Sequence, residues 1–505
     1  MTETMRSGLM MDDYQLTLTS IVDRAEQLTP SRKVVSRRPD GSIERTTLGE
    51  CVERARRLGS ALEGLGVEDG DRVATMLWNQ PEHLELYFAV PLMGAVIHTL
   101  NPRLHPDELG FIASDAEDKV IVVDESLLER AEPMSWPALE ERRACAMCYT
   151  SGTTGRPKGV VYSHRALVLH SLVTALPDMQ SISSRDTILP VVPMFHANAW
   201  GLPYVAAFAG TGMVLPGPRL DPVSVLDLLA DEKVTLTAGV PTVWMAILES
   251  LDAEPDRWDL SSMRHMIVGG SAVPKSLLEG FDRHGLEIIQ AWGMTETSPL
   301  GSVCRLPLDL DDAPAEGQYE YRTRQGIPAP FVEIRARGDD GELIPWDDET
   351  MGELEVRGPW VAAAYHRGRG AEKFTDDGWF QTGDVVRIDA RGCIRITDRS
   401  KDLVKSGGEW ISSVDVENLL MAHPAVAEAA VIAMPDEKWG ERPLAVVVLR
   451  EGEEAGPDEL RQHLSQEFTK WQLPERFEFI DEIPRTATGK FKKTDLRERF
   501  VTASV

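Results

Sequence analysis

Apolar residues recur at helical spacing from Thr47 to Leu65 (TLGECVERARRLGSALEGL), and a short apolar run, Arg72-Val-Ala-Thr-Met-Leu77, follows. The first pattern predicts a helix with one buried face, the second a buried strand. Glu82 to Ile97 again reads as helix and Lys119-Val-Ile-Val-Val-Asp124 as strand. The middle of the chain repeats the theme, with strands at Thr187 to Pro193, Val234 to Gly239 and Met263 to Gly269, and a helix at Pro222 to Asp231. Strands alternating with helices predict mostly parallel sheets. From about Gly326 the texture changes. Phe331-Val-Glu-Ile-Arg-Ala-Arg, Gly352-Glu-Leu-Glu-Val-Arg and Gly392-Cys-Ile-Arg-Ile-Thr alternate apolar and polar positions between Gly-containing turns, which predicts antiparallel sheet in a small barrel. Asp398-Arg-Ser-Lys-Asp-Leu403 is a compact charged stretch suited to a linker. Beyond it, helices at Ser413 to His423 and Pro457 to Phe468 and strands at Ala427 to Ala433 and Leu444 to Leu449 predict a small α+β unit.

The length, 505 residues, allows two to four domains. Against 53 basic side chains stand 81 acidic ones, a net charge of −28. So acidic a surface repels phosphate backbones and anionic headgroups, which argues against a nucleic-acid or membrane-surface protein. The first residues lack the charged-then-apolar pattern of a signal peptide, and the last carry no lipidation or retention signal. The uncharged run Ala197 to Pro218 is long enough to span a bilayer, but its glycines and Pro203 read better as a buried helix and strand. A cytoplasmic protein without a membrane span is therefore expected. Five scattered cysteines do not make a disulfide scaffold. Cys145 and Cys148 lie i, i+3 in an apolar strand and so face opposite sides, a poor arrangement for a metal.

The most informative stretch is Tyr149-Thr-Ser-Gly-Thr-Thr-Gly-Arg-Pro-Lys-Gly-Val160, between two apolar strands. Its hydroxyls, glycines and lysine make a loop whose backbone N–H groups can close on phosphate oxygens. It does not match the Walker pattern. Gly269-Gly-Ser-Ala-Val273 lacks the closing glycine of a hydrolase elbow.

That loop resembles the phosphate loop of the acyl-adenylate-forming enzymes: acyl-CoA synthetases, luciferases and the adenylation domains of peptide synthetases. Further motifs of that family follow in order. They are Trp292-Gly-Met-Thr-Glu-Thr297, Thr382-Gly-Asp384, Asp398-Arg-Ser-Lys-Asp402 with Lys405-Ser-Gly-Gly-Glu-Trp-Ile411, and Pro484-Arg-Thr-Ala-Thr-Gly-Lys490. Val192-Pro-Met-Phe-His-Ala-Asn-Ala-Trp200 and Val214-Leu-Pro-Gly-Pro-Arg-Leu-Asp221 look most like the medium- and long-chain fatty acid branch. Between Val123 and Thr150 the chain is several dozen residues shorter than typical relatives.

The resemblance implies an α/β multidomain architecture. An N-terminal AMP-binding domain (1–397) has two α/β layers and the barrel (about 326–397). A hinge (398–403) and a mobile α+β C-terminal domain (404–505) follow. It implies a ligase that uses ATP and Mg²⁺ to turn a fatty acid into acyl-adenylate with release of pyrophosphate, then passes the acyl group to coenzyme A. Thr150 and Glu296 would hold the Mg²⁺, and Lys490 would meet the carboxylate and α-phosphate. His196 would flank the acyl-phosphate. Ser151, Gly152, Thr153, Thr154, Gly155 and Lys158 belong to the phosphate loop. Ala197, Gly270, Gln290, Ala291, Trp292 and Thr295 would surround adenine and phosphate, with Trp292 stacking. Asp384 would accept from the ribose hydroxyls. Arg399, Lys401, Lys405 and Trp410 would lie near ribose, phosphate and the entry route. Trp200 would gate an acyl tunnel walled by Pro203, Tyr204, Val205, Phe208 and Met213. Ser406, Gly407 and Gly408 would line the pantetheine path. The partners are then small molecules, with a homodimer left open. The rival readings are a ligase that loads a carrier protein, favoured if turnover needs a phosphopantetheinylated partner, and a nucleotide-binding module without turnover.

Overall fold

The computed structural model describes residues 14–123, 132–150, 156–407, 409–485 and 491–501. Two sheets dominate the first three hundred residues. The larger has the strand order Ile43–Thr47, Lys33–Arg37, Gly212–Leu215, Thr187–Pro190, Leu236–Gly239, His265–Gly269, Ile288–Gly293, Leu300–Val303, Ile327–Pro328. Its neighbours from Lys33–Arg37 to Ile288–Gly293 are parallel, and antiparallel strands flank them at both ends. The second runs Asp118–Val122, Arg72–Thr75, Val96–Thr99, Ala144–Tyr149, Gly159–Ser163, the last strand antiparallel.

Helices fill the space between the sheets, as parallel strands buried on both faces require. Pro81–Leu92 is buried along all its twelve residues. Leu48–Gly64 begins with a capping box between Thr47 and Glu50, which satisfies two N-terminal donors at once. Helices Pro222–Asp231, Pro241–Ala253 and Lys275–Arg283 cover the far face of the larger sheet around Trp244 and Phe281. Pro106–Ala116 covers the far face of the smaller.

The helix expected over Glu82 to Ile97 ends early. Gly94 adopts φ +99°, where a Cβ would stand 2.5 Å from Asp69 Oδ1, and the chain leaves it as the strand Val96–Thr99. The uncharged run is a helix, Leu202–Ala209, and a strand, Gly212–Leu215. Among the described residues no helix is long and apolar enough to cross a membrane.

The alternating segments form an antiparallel ladder, Glu333–Arg337, Gly352–Arg357, Phe380–Ile388, Ile394–Arg399. This is the part expected to be a barrel. The last unit pairs Glu409–Ile411, Val404–Ser406, Gly440–Leu449 and Val426–Asp436, with Arg476–Phe479 added in parallel. Helices Ser413–Met421, Pro457–Leu464 and Lys493–Phe500 complete it, with apolar clusters on both faces of the sheet.

Candidate active site

A cleft of about 590 Å³ opens where the parallel strands of the larger sheet end. Residues at and just beyond those ends line it: Val191–Pro193, Val240–Pro241, Gly269–Gly270 and Gln290–Glu296. Open α/β sheets place ligands at this position, outside the carboxyl ends of the strands. Thr150 and Lys158 enter from the hairpin of the smaller sheet, and Thr382–Asp384 and Arg399 from the antiparallel ladder. Val414, Glu417 and Phe491–Thr494 of the last unit face them across the opening.

Asp384 is 2 % exposed and tightly held. Trp292 Nε1 donates to its Oδ2 at 3.0 Å, and Arg399 Nε pairs with its Oδ1 at 2.6 Å. Such charge-assisted contacts fix the carboxylate for accepting hydrogen bonds from hydroxyl groups. The Trp292 ring lies against Gly301, where a Cβ would approach it to 2.3 Å. Gln290 is buried, and its Oε1 accepts no hydrogen bond among the described residues. A buried unpaired acceptor is costly, and an amino group such as adenine's would satisfy it.

Glu296 sits in the short turn Thr295–Thr297 and is nearly buried. The Tyr365 hydroxyl donates to its Oε1 at 2.5 Å, and Ala362 N donates to its backbone carbonyl at 2.7 Å. Burial and the adjacent carboxylate push the Tyr365 phenol up, so it stays a donor. Tyr162 OH donates to Thr295 O at 2.8 Å and secures the same turn. The chain on either side of residues 151–157 is joined by Thr150 N donating to Lys158 O at 2.9 Å and Lys158 N donating to Thr150 Oγ1 at 3.1 Å. Lys158 Nζ lies 5.2 Å from the Tyr365 ring centroid. Thr150 and Glu296 thus bring a hydroxyl and a carboxylate to one cleft. All-oxygen donors fit Mg²⁺, which keeps waters and phosphate oxygens in its other positions.

His196 and Trp200 flank an unusual turn. Ala197, Asn198, Ala199 and Trp200 have φ of 43°, 55°, 48° and 56°, and Gly201 continues at 76°. Left-handed backbone costs about 1–2 kcal/mol per non-glycine residue, so the surroundings must impose it. Asn198 supplies an anchor, accepting from Tyr87 OH and Cys148 Sγ at 3.3 Å each. The turn swings Trp200 over Gly269, whose Cβ would lie 3.3 Å from the indole and 2.5 Å from Ala291 O. It also sends Leu202–Ala209 away, into the core against Leu18–Leu28 and His164–Thr174. The expected tunnel wall is therefore corrected. Pro203, Tyr204, Val205, Phe208 and Met213 do not border the cleft, whose apolar side is Val191, Leu220, Val240, Val243 and Met245.

Of the other expected residues, Ala197, Gly270, Ala291, Thr295 and Lys401 line the cleft. Lys405, Ser406, Gly407 and Trp410 do not. Lys405 Nζ lies 3.3 Å from Asp339 and 4.4 Å from the Trp410 ring centroid. Ser406 accepts from Arg442 at 3.2 Å, and Gly407 packs on Trp439. The loop turns outward because these local partners hold it there. Ser151, Gly152, Thr153, Thr154, Gly155, Gly408 and Lys490 lie outside the described residues. Sequence reasoning missed Tyr365, which sits in no recognised string. It also missed Lys493, which reaches Glu417 Oε1 at 2.6 Å and Ser413 Oγ at 2.5 Å from within the last unit.

Residues 22–144 and 129–366 match the AMP-binding enzyme family, and residues 415–490 match its C-terminal domain. The chain belongs to this family. It is 48% identical to a long-chain-fatty-acid–CoA ligase of Thermus thermophilus, over 97% of this chain and 96% of that one. A 3-methylmercaptopropionyl-CoA ligase of Ruegeria pomeroyi is 42% identical, with 98% of each chain covered. The crystal structure of ATP-bound MatB from Rhodopseudomonas palustris superposes with a TM-score of 0.84 at 28% identity, covering 96% of this chain and 99% of that chain.

Proposed function

We propose that the chain is an ATP-dependent fatty acid–CoA ligase, an acid–thiol ligase that forms acyl-adenylate as its intermediate. The observation that carries this reading is the single cleft shared by Thr150, Glu296, Asp384 and Trp200: phosphate-loop hydroxyl, buried carboxylate, ribose acceptor and apolar gate. In the first step a substrate carboxylate oxygen attacks the α-phosphorus and pyrophosphate leaves. In the second the thiol sulfur of coenzyme A attacks the acyl carbonyl, and AMP leaves.

Both reactants of the first step are anions, so the residues must hold them together against repulsion. Asp384 binds the ribose, and Trp292 and Arg399 keep its carboxylate aimed. Gln290 takes the adenine amino group. Lys158 and the loop from Ser151 to Gly155 hold the phosphates, and His196 stands beside the reacting carboxylate. Thr150 and Glu296 hold Mg²⁺, which when bound neutralises phosphate charge and polarises the phosphoryl oxygens. Val191, Leu220, Val240, Val243 and Met245 take the hydrocarbon chain behind Trp200. Lys490 supplies positive charge to the first step from the small unit.

The small unit then turns about residues 398–403. In the present arrangement Phe491–Thr494 face the cleft while Ser406 and Gly407 face away, which suits adenylation. For the second step the loop at 404–411, with Lys405, Trp410 and Gly408, must come round to guide the pantetheine arm. The large unit (1–397), the hinge (398–403) and the small unit (404–505) are the proposed domains, and the cytoplasm is the proposed compartment.

An acid panel in an AMP-release assay tests the reading. Release should require ATP, Mg²⁺, a fatty acid and free coenzyme A. Pyrophosphate exchange that proceeds to product only with a phosphopantetheinylated protein would replace coenzyme A by a carrier. No exchange with any acid would leave only nucleotide binding.

A further inference from the structure

We infer that Tyr365 is a positioning residue for Glu296, fixing the carboxylate that holds the metal of the nucleotide. This rests on the role proposed above for Glu296. A nearly buried carboxylate needs compensation by hydrogen bonds or charge. Among the described residues Glu296 makes no ion pair, and its one side-chain partner is the Tyr365 hydroxyl, 2.5 Å from Oε1. A phenol suits this task. It satisfies one oxygen without bringing a positive charge that would compete with a cation at the other.

Tyr365 is itself held from several sides. Its ring meets Phe374 and Phe380 edge-on at centroid distances of 5.5 and 6.3 Å. The stretch before it is laced to the turn that carries Glu296. Ala362 N donates to Glu296 O at 2.7 Å, Ser298 Oγ to Trp360 O at 2.6 Å, and Trp360 Nε1 to Leu300 O at 2.8 Å. The stretch after it is pinned to the end of the helix Pro106–Ala116 that covers the smaller sheet, where Arg369 pairs with Asp115 and Arg367 with Glu117, each at 2.5 Å. The same ring lies beneath Lys158 Nζ. One side chain therefore sets the relative position of the carboxylate and the phosphate-loop lysine, which come from different sheets. Mg²⁺ tolerates little departure from octahedral geometry. Partners that orient a metal ligand typically matter 10- to 100-fold in metal affinity or activity.

Tyr365→Phe removes the hydroxyl and keeps the ring, its packing and the contact with Lys158. ATP binding to the full-length protein is titrated in EDTA and again across a series of free Mg²⁺ concentrations, with pyrophosphate exchange measured in parallel. The expected result is an unchanged affinity for metal-free ATP, and a free-Mg²⁺ requirement raised roughly tenfold or more in both binding and exchange. Glu296→Gln serves as the comparison and should raise the same requirement at least as far. If Glu296→Gln shifts the Mg²⁺ dependence and Tyr365→Phe does not, the positioning role is wrong while Glu296 keeps its own. If Tyr365→Phe weakens metal-free and Mg²⁺-bound ATP equally, or does not fold, the tyrosine is merely structural and the inference is overturned. If Glu296→Gln changes nothing, the reading of Glu296 falls and this inference with it.

Discussion

The cleft has two walls, built in opposite ways. On the side of the large unit the polar groups are buried and gripped, Asp384 by Trp292 and Arg399, Glu296 by Tyr365. The other wall, Phe491–Thr494 and Glu417, rides on the small unit. Exposed ion pairs reach from that unit to the large one, Arg450 to Glu249 at 3.8 Å and Lys405 to Asp339 at 3.3 Å. Pairs of that kind contribute about 0–1 kcal/mol each. Buried attachments gather instead at the connection: Ser413 N donates to Asp398 at 2.7 Å and Ser412 Oγ to Thr397 O at 2.5 Å. A preorganised wall suits recognition of a nucleotide that stays in place. A wall whose buried attachments, among the described residues, gather at its pivot suits a part that leaves between two steps.

The comparison breaks first at Asp384. Asp384→Ala removes a charged acceptor for two hydroxyls and should weaken ATP binding by about 2–3 kcal/mol. An unchanged dissociation constant in a folded variant would take the fixed wall out of nucleotide recognition. Next, Trp200→Ala should redistribute activity among acids of different chain length by roughly tenfold, while ATP affinity holds. An unchanged acid profile with lost ATP binding would make Trp200 a nucleotide contact.

The wall of the small unit offers a pH test. Burial pushes the Glu417 carboxyl up to about 7, with Lys493 pulling the other way. Its pKa is thus higher folded than unfolded, so the stability it contributes is complete below pH 4.5 and lost as pH rises through about 7. Denaturation of the protein and of Glu417→Gln over that range should show the difference between them shrinking as pH rises. Parallel profiles would contradict the assignment. The smallest effect belongs to the exposed pair. Glu249→Ala should change stability by less than about 1 kcal/mol and leave both half-reactions intact. A larger loss would mean that the mobile wall is held by more than its pivot.

The contrast between the walls also marks what is legible in the sequence. The motif turns can be read because their residue types recur at short spacing, and the fold brings Thr150, Glu296 and Asp384 to one cleft. The alternation of strands and helices gives the layers but not the strand order, which long-range pairing decides. The left-handed turn at Ala197–Gly201 cannot be read, because Ala197, Ala199 and Trp200 have side chains that disfavour it locally. The tunnel wall was therefore misplaced. Tyr365 is one aromatic among many until the fold carries it to Glu296. Lys493 lies outside every quoted motif, yet the fold tucks it, largely covered, against Glu417.

The central claim is that the small unit brings its wall to the cleft for one step only, and Lys490→Ala tests it most directly. Adenylation is followed by pyrophosphate exchange, and thioester formation by supplying synthetic acyl-adenylate with coenzyme A. The account predicts a loss of roughly two or more orders of magnitude in the first, as for removal of one transition-state electrostatic contact, with most of the second retained. Equal loss in both half-reactions, with the fold intact by circular dichroism, would contradict it.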